Sequence, residues 1–247
     1  MSKVQSQAVS QVALNSYQAK GFTPVNEFFS GKPVLMPRRQ LFYSNDKLKI
    51  RSLNVNLTSA NQAMFSTAPM TQTKLFEIKP GDCGEISGML LEFTITVGGT
   101  GTVALAPTSY WFRSMEVRIG NNPTPIARYN PESIQWSLNT EPVEQRLAHK
   151  AVMNYAPNDA WNSRPIGFQM ITGQSKKFYL PLLDSCLEGG LINMRVLEEP
   201  LSFWVESRDI RESSTSSPTV TLSSMNVIIQ ENDMSEGDIK YVQRCFA

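Results

Sequence analysis

Over most of this chain the hydrophobic positions recur at every second residue. From residue 48 to 57, Leu48, Ile50, Leu53, Val55 and Leu57 interleave with polar neighbours. A break at Arg51-Ser52 makes this run a bulged strand or two short ones. Clear strands follow at 74–79 and 86–97. In the second, Leu91, Phe93, Ile95 and Val97 face one way and Glu92, Thr94 and Thr96 the other, so one face is buried. Residues 111–119 set Met115, Val117 and Ile119 against Glu116 and Arg118, and after the Asn121-Asn122-Pro123 turn 125–129 reads as the return strand. Further strands are expected at 177–183, 191–196, 201–207 and 219–230. About eight strands between residues 74 and 230, with no βαβ rhythm, predict two packed antiparallel sheets.

Between strands the pattern changes. Asn130-Pro131-Glu132 is a helix start, with Asn as N-cap, Pro at the first helical position and Glu complementing the helix dipole. Ile134 and Leu138 are four apart and would pin this short helix to the sandwich, with Trp136 beside them. Residues 139–170, carrying Tyr155 and Trp161, read as a long ordered excursion of the kind that makes contacts between subunits. The glycines of 98–101 predict a hairpin loop, and the polar, breaker-rich RESSTSSP at 211–218 an exposed, mobile loop tip. Near the end, Ser235 would cap a helix start over Asp238 and Ile239 to Val242.

The first thirty residues differ in kind. They are rich in Gln, Ser, Ala and Val, and Val4, Ala8 and Val12, with Tyr17 nearby, make only a thin apolar stripe on a helix, one that needs a partner. Gly21, Pro24, Gly31, Pro33 and Pro37 then punctuate an extended arm. The expected division is an extended basic arm over residues 1–47 and a folded domain over 48–247.

Charge sharpens this division. The net charge of +1 conceals +6 over residues 1–52 and −5 over the rest. Lys3, Lys20, Lys32, Arg38, Arg39, Lys47, Lys49 and Arg51 would face nucleic acid, anionic lipid or the acidic body of a neighbour. Phe22, Phe28, Phe29 and Phe42 are interleaved with them and are expected to anchor the arm by plugging a partner's groove. Charged residues make up only 18% of the chain against 41% hydrophobic, which favours self-association.

Catalytic and metal chemistry finds little support. Cys83, Cys186 and Cys245 are odd in number and scattered, which indicates neither a disulfide framework nor a zinc site. His149 is the only histidine. A Ser185 or Cys186 nucleophile with Asp184 and His149 can be drawn, but no Gly-x-Ser-x-Gly elbow accompanies it. VGGTGT at 97–102 lacks the Gly-Lys-Ser/Thr end of a phosphate loop. The acidic run of Glu231, Asp233, Glu236 and Asp238 has neither the spacing nor the glycine of an EF-hand and reads as a solvated helix start. No cofactor is expected. MSKVQSQAVSQVAL has no apolar core of a secretory signal and no stretch nears the roughly 20 apolar residues of a membrane span, so synthesis in the cytosol is expected. The acceptor-like Asn56-Leu57-Thr58 is then a chance match.

MEVRIG at 115–120, NNPTPIARY at 121–129, PESIQWSLN at 131–139, EPVEQR at 141–146 and KFYLPLLDSCLEGGLINMRVLEEPLSFWVES at 177–207 together resemble one roll of the major capsid proteins of the adenovirus and tectivirus lineage. The likeness is greatest to the first roll of its double jelly-roll members. In that lineage a Trp-bearing helix follows the strand pair and an aromatic-x-x-Pro-Leu strand precedes the final hairpin. Trp136 and 178–182 hold those places. The resemblance implies an all-β, eight-stranded antiparallel jelly-roll β-sandwich with a short helix and an extended N-terminal arm, acting without enzymatic chemistry as a subunit of an icosahedral virion. The expected partners are other capsid subunits in trimers or hexamers, minor capsid proteins, and nucleic acid or internal membrane lipid beneath the shell. A second roll does not fit in 247 residues. A single-roll capsid protein, a subunit paired with a second gene product and a piece of a longer polypeptide all remain open. So do a vertex penton protein and a receptor- or carbohydrate-binding module on the same sandwich.

Overall fold

In the computed structural model the alternating runs become strands of two antiparallel sheets, and residues 22–24, 35–37, 48–66, 69–155, 168–182, 192–195 and 197–232 are described. The chain divides into two compact units, Met1–Lys49 with Asn232–Ala247, and Ile50–Glu231. In the first unit β1 (Phe22–Pro24) and β2 (Leu35–Pro37) pair antiparallel, Phe22 opposite Pro37. The rest of the arm, the Val4–Ala8–Val12 stripe and the helix expected after Ser235 lie outside the described residues.

The second unit is the sandwich. Its elements are β3 (Leu48–Asn54), α1 (Ser59–Ala63), β4 (Thr73–Ile78), β5 (Glu85–Leu105), β6 (Phe112–Ile119), β7 (Ala127–Tyr129), α2 (Pro131–Thr140), α3 (Val143–Val152), β8 (Phe168–Ile171), β9 (Ser175–Pro181), β10 (Ile192–Asn193), β11 (Leu201–Ser207) and β12 (Arg211–Asn232). One sheet runs β3-β12-β5, and along the free side of β5 lie β8, β9 and β10 in succession. They pair with Thr102–Leu105, Leu90–Thr96 and Glu85–Ile86, so the three segments form a single interrupted edge strand. The other sheet runs β4-β11-β6-β7. With that edge counted as one strand, the two sheets read first-eighth-third-sixth and second-seventh-fourth-fifth. Every connection except β6–β7 crosses between the sheets, which is the strand order of a jelly roll.

The inward residues are those the alternation marks. Leu91, Phe93, Ile95 and Val97 of β5 are fully buried, as are Val117 of β6 and Leu201 and Phe203 of β11. Phe76 and Phe203 stack across β4 and β11 with ring centroids 4.2 Å apart. At one end, three crossovers meet around Trp111. Its ring lies 5.0 Å from Phe65, 5.3 Å from Phe93 and 5.2 Å from Phe178, and its indole N–H donates to Ala106 O at 2.7 Å. Backbone bonds stitch the same crossovers: Ala106 N to Ile210 O at 2.9 Å, Ile210 N to Phe65 O at 3.2 Å and Arg208 N to Trp111 O at 3.2 Å. The Ser207 hydroxyl donates to Met64 O and accepts from Met70 N, both at 2.7 Å.

Two expected loops are strands. Residues 98–105 continue β5, and RESSTSSP begins β12 rather than forming a mobile tip. Each is poor in strand formers, yet they pair with one another: Thr102 N donates to Thr215 Oγ1 at 3.0 Å, and the two hydroxyls lie 2.9 Å apart. The glycines permit this approach. Gly99 and Gly101 have φ of +76° and +102°, and a Cβ on them would stand 2.3 Å from Ser217 O and 2.0 Å from Thr215 O. Glycine in a strand here permits the close passage of another backbone.

The helix over 131–140 forms as read, with a reciprocal cap: Asn130 Oδ1 accepts from Ser133 N at 2.7 Å, and Asn130 N donates to Ser133 Oγ at 3.0 Å. Ile134 and Leu138 are buried, but Trp136 stands 73% exposed instead of packing beside them. The helix α3 was not expected. Its Glu, Gln, Arg, Leu, Ala and Lys are all good helix formers, with Glu144 in the first turn and His149 and Lys150 in the last, as the dipole favours. The Thr58 of the acceptor-like triplet caps α1, its Oγ1 accepting from Asn61 N at 3.2 Å.

Replacing Phe65 by Ala should cost about 3–5 kcal/mol, because it opens a cavity where the crossovers meet; a urea midpoint that falls by far less would disprove the corner's importance. Gly101→Ala should destabilise by about 2 kcal/mol or more although it adds one methyl group, through strained φ and the clash with Thr215 O. Thermal denaturation of the two variants checks both.

Candidate assembly surfaces

Much of the outer face of each sheet carries polar side chains that bond to each other. On the β6-β11 sheet, buried Glu116 accepts from Arg118 Nε and Nη2 at 3.1 and 2.5 Å and from Arg128. The Arg118 guanidinium lies 4.9 Å over the Trp204 ring, whose N–H donates to Ser202 Oγ at 3.1 Å. The hydrogen bond from Arg118 holds the Glu116 carboxyl below its ordinary value, against the opposing effect of burial, with Arg128 adding to it.

The β5-β12 sheet carries a similar ladder. Glu92 is buried, which pushes its carboxyl up, but bonds from Asn226 Nδ2 at 2.9 Å and Lys177 Nζ at 3.1 Å outweigh that and hold it low. Thr94 accepts from Ser224 Oγ at 2.8 Å, and Thr96 donates to Ser175 Oγ at 3.1 Å. Such groups have their partners already and ask little of a ligand.

At the far end of this sheet Glu231 is buried, not part of a solvated helix start. Its carboxylate accepts from Gly84 N at 2.5 Å and from Arg51, whose Nη2 is 3.0 Å away. Cys83 beside it is buried, and desolvation, aided by Glu231, pushes its thiol up to about 12, which leaves it inert as a nucleophile at neutral pH. The outer face next to it holds a shallow trough of about 250 Å³ lined by Ile50, Leu90, Pro181, Ile228 and His149.

The helical insertion between β7 and β8 presents a different surface. Trp136 overhangs a cleft of about 290 Å³ with Tyr110, Glu132, Gln135 and Asn139. No residue of α3 is buried, and Val143, Leu147 and Val152 are 56%, 46% and 38% exposed. Other polar groups of this helix turn inward: His149 Nδ1 lies 2.8 Å from Glu141 Oε2, and Arg146 Nη2 donates to Glu141 O at 3.2 Å. His149 is thereby tied to a carboxylate, while Asp184, Ser185 and Cys186 lie outside the described residues.

Of the residues expected to face genome or lipid, Lys49 and Arg51 are described. Both are exposed residues of β3, and Arg51 is engaged with Glu231. Lys3, Lys20, Lys32, Arg38, Arg39 and Lys47 lie outside the described residues, as do Phe28, Phe29 and Phe42. Phe22 is placed in β1 by its backbone alone. The exposed residues of α3 were missed, although Val143, Leu147 and Ala151 four residues apart in EPVEQRLAHKAV carry the signal of a helical stripe.

Strand order defines the protein as an all-β jelly-roll sandwich with a helical insertion. Neither a family model nor a curated protein matches the chain. A solved structure described as the PBCV-1 virus capsid, a quasi-atomic model, is similar with a TM-score of 0.48 and 14% identity, over 80% of this chain and 45% of that one. This chain thus spans less than half of that capsid chain. The fold assignment rests on the strand order and not on this match.

Glu116→Gln should lower the unfolding midpoint at pH 7, since two arginines then lack their carboxylate. A carboxyl held low when folded stabilises above its ordinary value of 4.5 and loses this as pH falls through the lowered value. The gap between wild type and variant should therefore close below pH 4.5. Midpoints measured from neutral to acid pH check it, and a gap independent of pH would contradict the ion-pair account.

Proposed function

We propose that the chain is a structural subunit of a virus capsid that builds an icosahedral shell through contacts with other copies. The observation that carries this reading is the eight-strand order with a helical insertion whose apolar side chains remain uncovered among the described residues. A sandwich whose outer ladders are internally satisfied, joined to a helical flank that is not, suits a subunit that works by contact. The low charge of the sequence and its resemblance to one roll of the adenovirus and tectivirus lineage support the same reading. In it, residues 1–47 are a basic arm that ties neighbours together and reaches nucleic acid or lipid inside the shell, with Phe22, Phe28, Phe29 and Phe42 as anchors. The virion of a bacteriophage, with or without an internal membrane, is the proposed location, and trimeric or hexameric capsomers the proposed unit. No enzymatic step or cofactor enters the mechanism.

One observation favours a second reading. Trp136, exposed among Glu132, Gln135 and Asn139, forms an aromatic shelf with polar neighbours, a surface that also suits a sugar ring. A carbohydrate- or receptor-binding module would then lose binding on Trp136→Ala without any change in its state of association.

Size-exclusion chromatography with light scattering separates the two. The full chain should form oligomers or shells, and deletion of residues 1–40 should weaken them. A chain that stays monomeric, with or without those residues, would overturn the capsid reading and leave the binding module.

A further inference from the structure

We infer that α3 is one half of a symmetric contact between two copies of this chain, packed antiparallel about a two-fold axis at Leu147. The inference rests on the reading of the chain as a self-assembling subunit and adds which surface meets which.

Three observations converge on it. A ten-residue helix is marginal in water and draws its stability from an apolar face packed on something else, yet α3 buries none of its ten residues within the chain. Its uncovered side chains also have a fitting shape. Val143, Leu147 and Ala151 are spaced at four, and the exposed Ala148 and Ala151 let a second helix come close. The third observation chooses the occupant. Arg146 and His149 are committed to Glu141. That leaves Glu144, exposed and without an ion pair among the described residues, and Lys150, whose ammonium rests 5.6 Å from the Tyr155 ring. These two lie three residues either side of Leu147. An antiparallel copy centred there sets Glu144 at the height of the partner's Lys150, and Lys150 at the height of the partner's Glu144. Val143 meets Ala151 twice and Leu147 meets itself. Each half of the pattern complements the other, which is what an isologous contact requires, and the two helix dipoles oppose.

Sedimentation velocity over a concentration series tests this with four variants: Leu147→Glu, Glu144→Lys, Lys150→Glu and the double exchange of Glu144 and Lys150. Leu147→Glu places two like charges at the axis and should weaken association about tenfold or more. Each single reversal opposes like charges twice and should weaken it several-fold. The double exchange recreates both pairs and should restore association to within about twofold of wild type. None of the three positions is buried, and circular dichroism reports whether the sandwich is intact. Association unchanged by Leu147→Glu, or a double exchange no better than the singles, overturns the α3 contact while the capsid reading stands. A wild-type chain monomeric at every concentration overturns both.

Discussion

Burial of Trp111 at the corner where the two sheets join is the constraint from which the rest of the sandwich follows. A jelly roll sends its chain back and forth between sheets, and each crossing exposes backbone groups that must find partners. Three crossings converge on this indole. Phe65 arrives on the connection from β3 to β4, residues 106–111 connect β5 to β6, and 208–210 connect β11 to β12. The apolar contacts bring the segments together, and once together their amides and carbonyls satisfy one another. The buried hydroxyl of Ser207, bonded to Met64 and Met70, closes the same corner from the side of β11.

From that corner two long strands, β5 and β12, run side by side as the spine of one sheet, with a contour of about 70 Å each. The length matters because it gives the discontinuous edge of β8, β9 and β10 a continuous template. Three short segments that would not persist alone are aligned by one strand. The opposite sheet is shorter and is braced outside by Glu116 between two arginines. Both outer faces carry ladders that resolve much of their charge, and the helical insertion between β7 and β8 gathers four of the exposed large apolar side chains. In the proposed assembly the sandwich is then a rigid block, and its flank does the joining.

Much of this was legible along the chain. The β11 strand at 201–207, the inward face of β5, the β6–β7 pair and the Asn130 cap follow from alternation and capping chemistry, which depend on neighbours a few residues away. The misread segments share a different cause. GGTGT and RESSTSSP each look like loops because both are poor in side chains that favour a strand, and what makes them strands is the other, more than a hundred residues distant. Glu231 looked solvated among acidic neighbours until Arg51 and Gly84 were brought to it. Trp136, apolar and next to buried Ile134, read as packed, because periodicity places a residue on a helix face without saying what lies opposite.

By itself, then, the sequence determined the all-β class, the places where chain direction reverses and most of the inward-facing residues, because each is written in the local order of apolar, polar and turn-forming side chains. The tertiary structure alone decided which strands are neighbours, which glycines permit the close approach of another strand, which charges are spent inside the molecule and which apolar side chains remain uncovered. Those are outcomes of pairing between distant segments, where burial and hydrogen bonding depend on what the rest of the chain brings to the same point in space.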